Sequence, residues 1–309
     1  MSPESNNYLC CCEYIDQNNQ INHILACCCD CQDFDEGMES LITGHGFPQH
    51  NKQNCFSACT DRLRLPWIGG AKRISPEIIL SIIFIPLFLL LATNGIVWTI
   101  LAAIALVLLL ICMKLFTQNC CTNFFQVWIN TSFIILYLVF ELVVIPFLEI
   151  LLEENIALTI VILLGCYWFW KAKKCCVIDN SGWHCVGCQK MVPVNSTHSL
   201  WLGYCIGDYN IKYYIMGLFA MVSSLLYGCN LTLTTVCHPF LFYGSVLLPD
   251  DCSYAYDLFE LALSFVSGLY GLGLATFFSI MLLHQMVEVM VDNVCKRRRF
   301  RKTAANTLA

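Results

Sequence analysis

Long apolar runs alternate with short polar connections from Ile78 towards the C-terminal end of the chain. A helix that crosses a bilayer needs about 20 apolar residues, or about 17 at the short end. The pattern predicts spans at 77–93, 95–113, 126–148, 155–170, 213–236 and 257–284. The run 155–170 is short, and 77–113 can also form one broken unit around the turn-like Thr93-Asn94-Gly95. We therefore predict an all-α polytopic membrane protein with about six transmembrane helices.

These runs and the segments around them divide the chain into five regions. Residues 1–74 form a cysteine-rich N-terminal segment, and 75–170 carry four of the predicted helices. A cysteine-rich loop spans 171–212, two more helices lie within 213–284, and a basic tail follows at 285–309. No basic stretch precedes an apolar run at the N-terminus, so we expect no signal peptide and a later span that directs the chain to the membrane.

The composition is typical of a membrane protein and does not indicate a nucleic-acid-binding protein. Hydrophobic residues make up 58% of the 309 residues, charged residues make up 13%, and the mean hydropathy is +0.64. Soluble domains carry about a quarter charged residues. The formal net charge of -5 gives no reason to expect a nucleic-acid partner, which would need a basic face. The 22 cysteines include the runs 10–12 and 27–29, which suit metal binding, lipidation or reduced thiols better than a spaced disulfide framework.

The basic residues predict how the chain crosses the membrane, because cytoplasmic flanks of spanning helices collect Lys and Arg. All 17 fall on one side of the predicted map, and the opposite loops, 149–154 and 237–256, contain none. We therefore predict that both termini and the 171–212 loop are cytosolic. The basic residues are Lys52, Arg62, Arg64, Lys72, Arg73, Lys114, Lys171, Lys173, Lys174, Lys190, Lys212, Lys296, Arg297, Arg298, Arg299, Arg301 and Lys302.

This orientation determines where disulfide formation and glycosylation are chemically possible. Cys237 and Cys252 fall on the luminal or extracellular side, where a disulfide can form. The spacing leaves the choice between a disulfide and two free thiols open. The sequons at Asn130, Asn195 and Asn230 lie within spans or on the cytosolic side, so we expect no glycosylation there.

The 171–212 loop carries a set of metal-ligand residues. Cys185 and Cys188 are two residues apart and can present two thiolates to one ion, and His198 and Cys205 complete a set of three sulfurs and one imidazole. Such a set closes the tetrahedral shell of a structural zinc ion and leaves no position for a bound water. The alternative is a reduced thiol pair beside an incidental histidine.

The same loop resembles the cysteine-rich domain of the DHHC family of protein S-palmitoyltransferases. The first half of the family pattern is present as Cys185-x2-Cys188-x9-His198, and the second half as Trp201-x3-Cys205-Ile-Gly-x2-Asn210. The central part of the family pattern is missing. Ser199 stands where a cysteine belongs, and Leu200 alone replaces roughly fifteen residues that would hold two zinc cysteines and the Asp-His-His-Cys tetrapeptide.

The flanking chain also resembles this family. The segments 10–16, 29–37 and 61–67 are similar to the vertebrate branch with four spans before the cysteine-rich domain and two after it. Two other sequence features of the family are replaced by different residues. Cys175-Cys176 stands where a Pro-Gly turn is usual, and 294–297 stands where Thr-Thr-x-Glu is expected.

The resemblance implies a chemistry whose central residue is absent. In the family, the tetrapeptide cysteine attacks palmitoyl-CoA as a thiolate and passes the acyl chain to a substrate cysteine. Ser199 is a poor replacement, because a hydroxyl is far less acidic than a thiol and no Asp-His pair remains in this loop to act as its base. The resemblance also implies that one zinc site survives, with Cys185, Cys188, His198 and Cys205 as its ligands.

Other polar features carry open alternatives. The cysteine runs of the N-terminal segment, near His23, His45 and His50, can be lipidated, bind metal or remain inert thiols. Glu141 lies within the third predicted span and either has a functional role or packs, protonated, against Asn130 or another helix. The basic residues beside the first and last spans fit contact with anionic lipids, or act only as topology anchors.

Three hypotheses follow. We favour a DHHC-type pseudoenzyme, without a catalytic residue, that acts as a membrane scaffold or regulator for a protein or lipidated partner. The second is an active transferase that uses palmitoyl-CoA, through another cysteine such as Cys205 or because this sequence is a splice form or gene-model error without the central stretch. The third is an unrelated cysteine-rich membrane metal protein or channel subunit. The resemblance implies an endomembrane location, the Golgi or the endoplasmic reticulum.

Overall fold

A computed structural model describes residues 13–15, 21–23, 64–66, 68, 70–73, 76–117, 124–148, 150–175, 182–185, 187–188, 190–193, 196–242 and 246–307. The chain divides into two compact units, Met1–Ile83 and Phe84–Ala309. We describe each unit by itself.

The first unit contains two short antiparallel pairs. Strand β1 (Glu13–Ile15) pairs with β2 (Ile21–His23), and β3 (Arg64–Leu65) pairs with β4 (Lys72–Arg73). The Arg64 guanidinium lies 4.0 Å from the centroid of the buried Tyr14 ring, and the N–H of Ala71 donates to the carbonyl of Glu13 at 2.8 Å. A cation over an aromatic face is attractive. These contacts hold the two hairpins together although about fifty residues separate them along the chain.

The first apolar stretch forms two helices rather than one. Helix α1 covers Pro76–Ala92 and α2 covers Ile96–Thr117. Gly95 between them has a φ of 137°, in the left-handed region that glycine adopts without a side-chain clash. The Thr93-Asn94-Gly95 break is therefore a true turn.

The third apolar stretch is helical throughout but changes its pitch. Helix α3 covers Phe124–Val139, a π-helical turn covers Phe140–Val144, and α4 covers Ile145–Leu148. Pro146 has no backbone N–H, so it cannot complete the α-helical bond to the carbonyl four residues earlier. The N–H of Ile145 instead donates to the carbonyl of Phe140, which is the wider π pattern.

Three long helices form the best-packed part of the second unit. Helix α5 covers Leu152–Lys174, α6 covers Ile211–Val236 and α7 covers Phe259–Thr307. Tyr214 and Leu218 of α6 and Phe278 of α7 are almost completely buried in one cluster. This cluster also contains residues of the loop between α5 and α6, and it therefore joins that loop to the membrane helices.

The prediction of an all-α polytopic membrane protein is confirmed. Among the described residues, five helical segments are long and apolar enough to cross a membrane: Ile96–Leu115, Phe124–Leu148, Leu152–Lys174, Ile211–Val236 and Phe259–Val291. Helix α1, with 17 residues, is a shorter apolar helix at the first predicted span. The prediction of a short span at 155–170 was wrong in length, since α5 has 23 residues.

A hairpin lies between α6 and α7. Strand β9 (His238–Phe242) pairs antiparallel with β10 (Val246–Asp251). Cys237 and Cys252 flank the hairpin and form a disulfide with a Cα–Cα distance of 4.4 Å. The choice that the sequence left open is therefore resolved in favour of the disulfide.

Candidate metal centre

Two β-hairpins bring the predicted ligands together. Strands β5 (Trp183–Cys185) and β6 (Lys190–Val192) form the first hairpin, and β7 (Thr197–Ser199) and β8 (Tyr204–Ile206) form the second. Cys185 ends β5, and Cys188 lies in the turn that follows. His198 and Cys205 face each other across the second hairpin. Each hairpin therefore supplies two of the four predicted ligands.

The four ligand atoms of Cys185, Cys188, His198 and Cys205 all lie within 4.8 Å of one another. Cys188 Sγ is 3.1 Å from His198 Nδ1 and 3.5 Å from Cys205 Sγ, and Cys205 Sγ is 3.8 Å from His198 Nδ1. Tetrahedral zinc at about 2.0–2.3 Å from each ligand would set such atoms roughly 3.5–3.8 Å apart. Three sulfurs and one imidazole at this spacing fit a structural zinc ion.

Burial and local donors shape the electrostatics of the cluster. Cys185 and Cys205 are buried, while Cys188 and His198 are partly exposed. Burial raises the pKa of the Cys185 thiol, but hydrogen bonds from the backbone of Cys188, the Cys205 thiol and the backbone of Gly187 outweigh it, so this pKa lies below its usual range. Burial, with the neighbouring thiols, raises the pKa of Cys205. Burial lowers the pKa of His198, which favours the neutral imidazole that a metal requires.

A glycine lies directly against the histidine ligand. A Cβ built on Gly187 would lie 2.6 Å from His198 Nε2 and 2.8 Å from Cδ2 and Cε1. These distances are far shorter than ordinary van der Waals contact, so only glycine leaves room for the imidazole at its present position. Sequence reasoning missed this role, since no local pattern indicates which ring a turn glycine will meet.

Asn210 connects the second hairpin to the membrane helices. Its fully buried amide donates to the carbonyls of Ala172 at 3.1 Å and Cys205 at 3.0 Å, and accepts from the N–H of Gly207 at 2.9 Å. The end of α5, a ligand-bearing strand and the start of α6 are thus joined by one side chain. Asn210 is the N-cap residue of α6, but its side chain makes these three bonds and no capping bond to the first turn of the helix.

A four-residue turn connects β7 and β8. Residues 200–203 form the whole connection, and the N–H of Gly203 donates to the carbonyl of Ser199 at 2.9 Å. Gly203 has a φ of 68°, which favours glycine. Trp201 is buried, with ring centroids 5.0 Å from Phe278 and 5.5 Å from Phe169. The short turn therefore anchors the hairpin in the helix bundle.

The other predicted residues lie elsewhere or outside the described residues. Glu141, in the π-helical turn, accepts a hydrogen bond from Asn155 Nδ2 of α5 at 3.3 Å. This contact agrees with the alternative in which Glu141 packs against another helix. Several candidates fall outside the described side chains: the cysteines at 10–12, 27–29, 120–121 and 176, His23, His45, His50, Asn195 and the basic cluster 296–302.

Comparison with known proteins gives an independent indication of the family. Residues 169–303 match the family model for DHHC palmitoyltransferase. This range begins near the end of α5 and includes the cluster of Cys185, Cys188, His198 and Cys205, together with α6. No solved structure matches the chain with statistical significance.

Named relatives agree with this match. The chain is 25% identical to the palmitoyltransferase ZDHHC23 of Mus musculus, across 94% of this chain and 84% of the relative, and the Rattus norvegicus protein gives the same identity and coverage. The Homo sapiens protein is 44% identical over 81 residues, which are 26% of this chain and 20% of the relative. The mouse alignment covers 361 positions, more than the 309 residues of this chain, so the mouse protein has segments that this chain lacks.

Proposed function

Because this chain belongs to the DHHC palmitoyltransferase family, we propose that it is a catalytically silent member that acts as a membrane scaffold or regulator. One structural zinc ion, bound by Cys185, Cys188, His198 and Cys205, holds its cytosolic loop. The zinc would link the two hairpins and supply folding energy, and no open coordination position remains for chemistry on a substrate.

The observation that carries this proposal is the short connection between Ser199 and Tyr204. The tetrapeptide Asp-His-His-Cys occurs nowhere in the sequence, and four residues close the hairpin where the family has the central stretch. The Ser199 hydroxyl is buried and has no hydrogen-bond partner among the described residues. A serine needs a base within hydrogen-bond distance to act as a nucleophile, and the described surroundings of Ser199 offer none.

The remaining thiols of the cluster are poorly placed to replace the missing nucleophile. Cys205 has no exposed surface, and Cys185 is 1% exposed. Cys188 is partly exposed, but its Sγ is 3.1 Å from His198 Nδ1, within the ligand set. An acyl thioester must approach the sulfur that attacks it, so the buried cysteines lack access and Cys188 is committed to zinc.

The location and orientation belong to the same proposal. The chain is an integral membrane protein, and we place both termini and the metal cluster on the cytosolic side, as the bias of basic residues favours. The disulfide of Cys237 and Cys252 supports this orientation, because disulfides persist outside the reducing cytosol. An endomembrane location and a protein or lipidated partner rest on the family resemblance.

The printed names of the relatives favour a second candidate. The mouse and rat proteins are called palmitoyltransferases, and an active transferase would take palmitoyl-CoA and a substrate cysteine. It would need a nucleophile that the tetrapeptide no longer provides. Cys175, a partly exposed free thiol directly after α5, lies outside the proposed ligand set at a helix end that we place on the cytosolic side.

Acyl transfer from labelled palmitoyl-CoA to an acceptor peptide that contains one cysteine tests the proposal. We would use the full chain in detergent and measure labelled peptide and free CoA, with metal content determined on the same sample. The expected result is transfer no faster than in a protein-free reaction, with about one zinc per chain. Catalytic turnover that is lost in Cys175→Ser or Cys188→Ser would overturn the silent assignment.

Cys112→Ser provides the matched control, because Cys112 is an exposed thiol of α2 that belongs to neither the cluster nor the end of α5. This control separates enzymatic transfer from direct reaction of an accessible thiol with the thioester. If Cys112→Ser and Cys188→Ser lose label equally, the label reflects reactive thiols and no turnover. Zinc should remain in Cys112→Ser and decrease in Cys188→Ser.

A further inference from the structure

A large apolar cavity lies between α1, α2, α3 and α7, within the second unit. Its volume is about 580 Å³. Sites for small molecules usually enclose about 300–1,000 Å³. The walls are mainly apolar, and they include Ile85, Phe88, Leu106, Trp128 and Phe277. None of the proposed zinc ligands lines this cavity.

Small residues keep the cavity open. Ala102 and Ala103 of α2 and Gly273 of α7 line it. A Cβ built on Gly273 would have no atom within 4 Å. Protein interiors are otherwise packed about as densely as organic crystals, and apolar cavities of sufficient size bind apolar molecules. Between helices that cross a bilayer, the abundant apolar molecule is a lipid acyl chain.

The length of the cavity fits a chain rather than a compact ligand. Its lining on α2 extends from Thr99 to Lys114, and fifteen residues of α-helix rise about 22 Å. The polar groups along the wall have partners within the protein. The Thr99 hydroxyl lies 2.7 Å from Tyr256 Oη, and Tyr270 Oη lies 2.7 Å from the Ser132 hydroxyl. Along most of its length the cavity therefore offers apolar contact.

Charge distinguishes one end of the cavity. Lys114 is the charged residue of the lining, which contains no Asp, Glu or Arg among its described residues. It lies in the last turn of α2, where the bias of basic residues predicts the cytosolic side. The cytosolic leaflet carries the anionic lipids, which attract basic residues close to the membrane surface. A ligand with an apolar chain and a negative head group therefore complements both parts of the site.

We propose that this cavity is a binding site for an anionic phospholipid. One acyl chain lies between α2 and α7 over Ala102, Ala103 and Gly273, and the phosphate lies beside Lys114. The bound lipid fills the space between α2, the part of α1 within the second unit (84–92), α3 and α7. It therefore stabilises the arrangement of these helices, independently of any acyl transfer.

A photoreactive lipid tests the position of the acyl chain. The full chain is placed in nanodiscs of phosphatidylcholine that contain phosphatidylserine with a diazirine in one acyl chain, and the labelled peptides are identified by mass spectrometry. We expect label on peptides around residues 102–103 and 273. Gly273→Leu should reduce this label at least about fivefold, because a Cβ at this position has no atom within 4 Å and the added side chain would enter the space proposed for the acyl chain.

Two further variants keep the acyl-chain test decisive. Ala103→Leu fills the same cavity from α2 and replaces Gly273→Leu if that variant does not fold. Thr276→Leu is the matched control on α7, since Thr276 is exposed and does not line the cavity. Label at the cavity that is unchanged in both cavity-filling variants, or reduced equally in Thr276→Leu, would overturn the proposal.

The variant Lys114→Gln tests whether Lys114 recognises the negative head group of the lipid. In the unmodified chain we expect the phosphatidylserine probe to label the cavity several-fold more than a phosphatidylcholine probe with the same acyl chain. Lys114→Gln should remove most of this preference, whereas Lys173→Gln, a variant of an exposed lysine at the end of α5, should retain it. Equal labelling by both probes in the unmodified chain would indicate a neutral-lipid site and overturn the anionic assignment.

Discussion

At the residue scale, the geometry of the metal cluster depends on Gly187, which supplies no ligand atom. Gly187→Ala would place a methyl group within 2.8 Å of the His198 ring and force the imidazole to move. We expect zinc affinity to fall about 10- to 100-fold, as it does when residues that orient ligands are changed. Competition with a chromophoric zinc chelator on the full chain measures this affinity.

Gly273→Ala is the matched control for the substitution at Gly187. Its added methyl group meets no atom within 4 Å, so zinc affinity should equal that of the unmodified chain. A Gly187→Ala protein that binds zinc as tightly as this control would mean that His198 is not held as a ligand at its present position.

Asn210 gives a second prediction at this scale. Asn210→Leu would remove one hydrogen bond each from the Ala172 carbonyl, the Cys205 carbonyl and the Gly207 N–H, and among the described residues the Cys205 carbonyl would keep only the Tyr209 hydroxyl at 3.5 Å as a side-chain partner. Each buried group without a partner costs about 1–3 kcal/mol. We expect a lower unfolding midpoint in detergent and partial loss of zinc. Asn130→Leu changes an exposed asparagine of α3 and should leave both quantities unchanged. An unaltered midpoint in Asn210→Leu would contradict the anchoring role.

The clustering of Cys185, Cys188, His198 and Cys205 could be predicted from the sequence, and the residues that position them could not. The spacing of Cys185, Cys188, His198 and Cys205 is a local pattern, and the two hairpins bring all four together. The role of Asn210 depends on the carbonyl of Ala172, which is 38 residues away along the chain. No local pattern contains such a contact, because it exists only after α5 and α6 pack together.

At the element scale, the π-helical turn points Glu141 towards α5. Glu141 accepts from Asn155, whose amide oxygen accepts from Thr159 at 3.5 Å. Hydrogen bonds between membrane helices contribute about 0.6 kcal/mol on average and up to about 1.7. We expect Asn155→Leu to lower the unfolding midpoint in detergent, while Glu141→Gln, which keeps an acceptor, should change it less. Equal effects of both variants would contradict a hydrogen bond as the cause.

The hairpin between α6 and α7 carries another prediction. The disulfide between Cys237 and Cys252 closes a loop with a sequence separation of 15 residues. In the chain-entropy description, a loop of this size contributes about 3 kcal/mol. The double variant Cys237→Ser, Cys252→Ser should therefore unfold at a lower temperature, and a reducing agent should lower the midpoint of the unmodified chain only. Rapid alkylation of both thiols in the native protein under non-reducing conditions would contradict the bond.

The apolar pattern predicted the helices better than their ends. Helix α5 extends beyond the predicted 155–170 because Glu153 and Glu154 lie in its first turn and Lys171, Lys173 and Lys174 in its last. These charges complement the helix dipole but interrupt an apolar run. The break before α2 was predicted because Gly95 and its neighbours form a recognisable turn. The π-helical turn was not predicted, since it depends on how the helix accommodates Pro146.

At the scale of the whole molecule, the chain combines membrane-spanning helices with one cluster of Cys185, Cys188, His198 and Cys205, and the tetrapeptide Asp-His-His-Cys does not occur in its sequence. The hairpin of β7 and β8 closes with a short turn that packs against the helices. Its short turn buries Trp201 against Phe278, and Asn210 joins it to α5. The loop between α5 and α6 is therefore packed directly against the helices.

The central claim is tested most directly by looking for an acyl-enzyme. The zinc-loaded full chain is incubated with palmitoyl-CoA, and its intact mass is measured before and after hydroxylamine. We expect no stoichiometric palmitoyl adduct on Ser199, Cys175, Cys185, Cys188 or Cys205, with zinc retained. A hydroxylamine-sensitive palmitoyl adduct on one of these cysteines that is discharged to an acceptor thiol would contradict the account and identify a catalytic nucleophile.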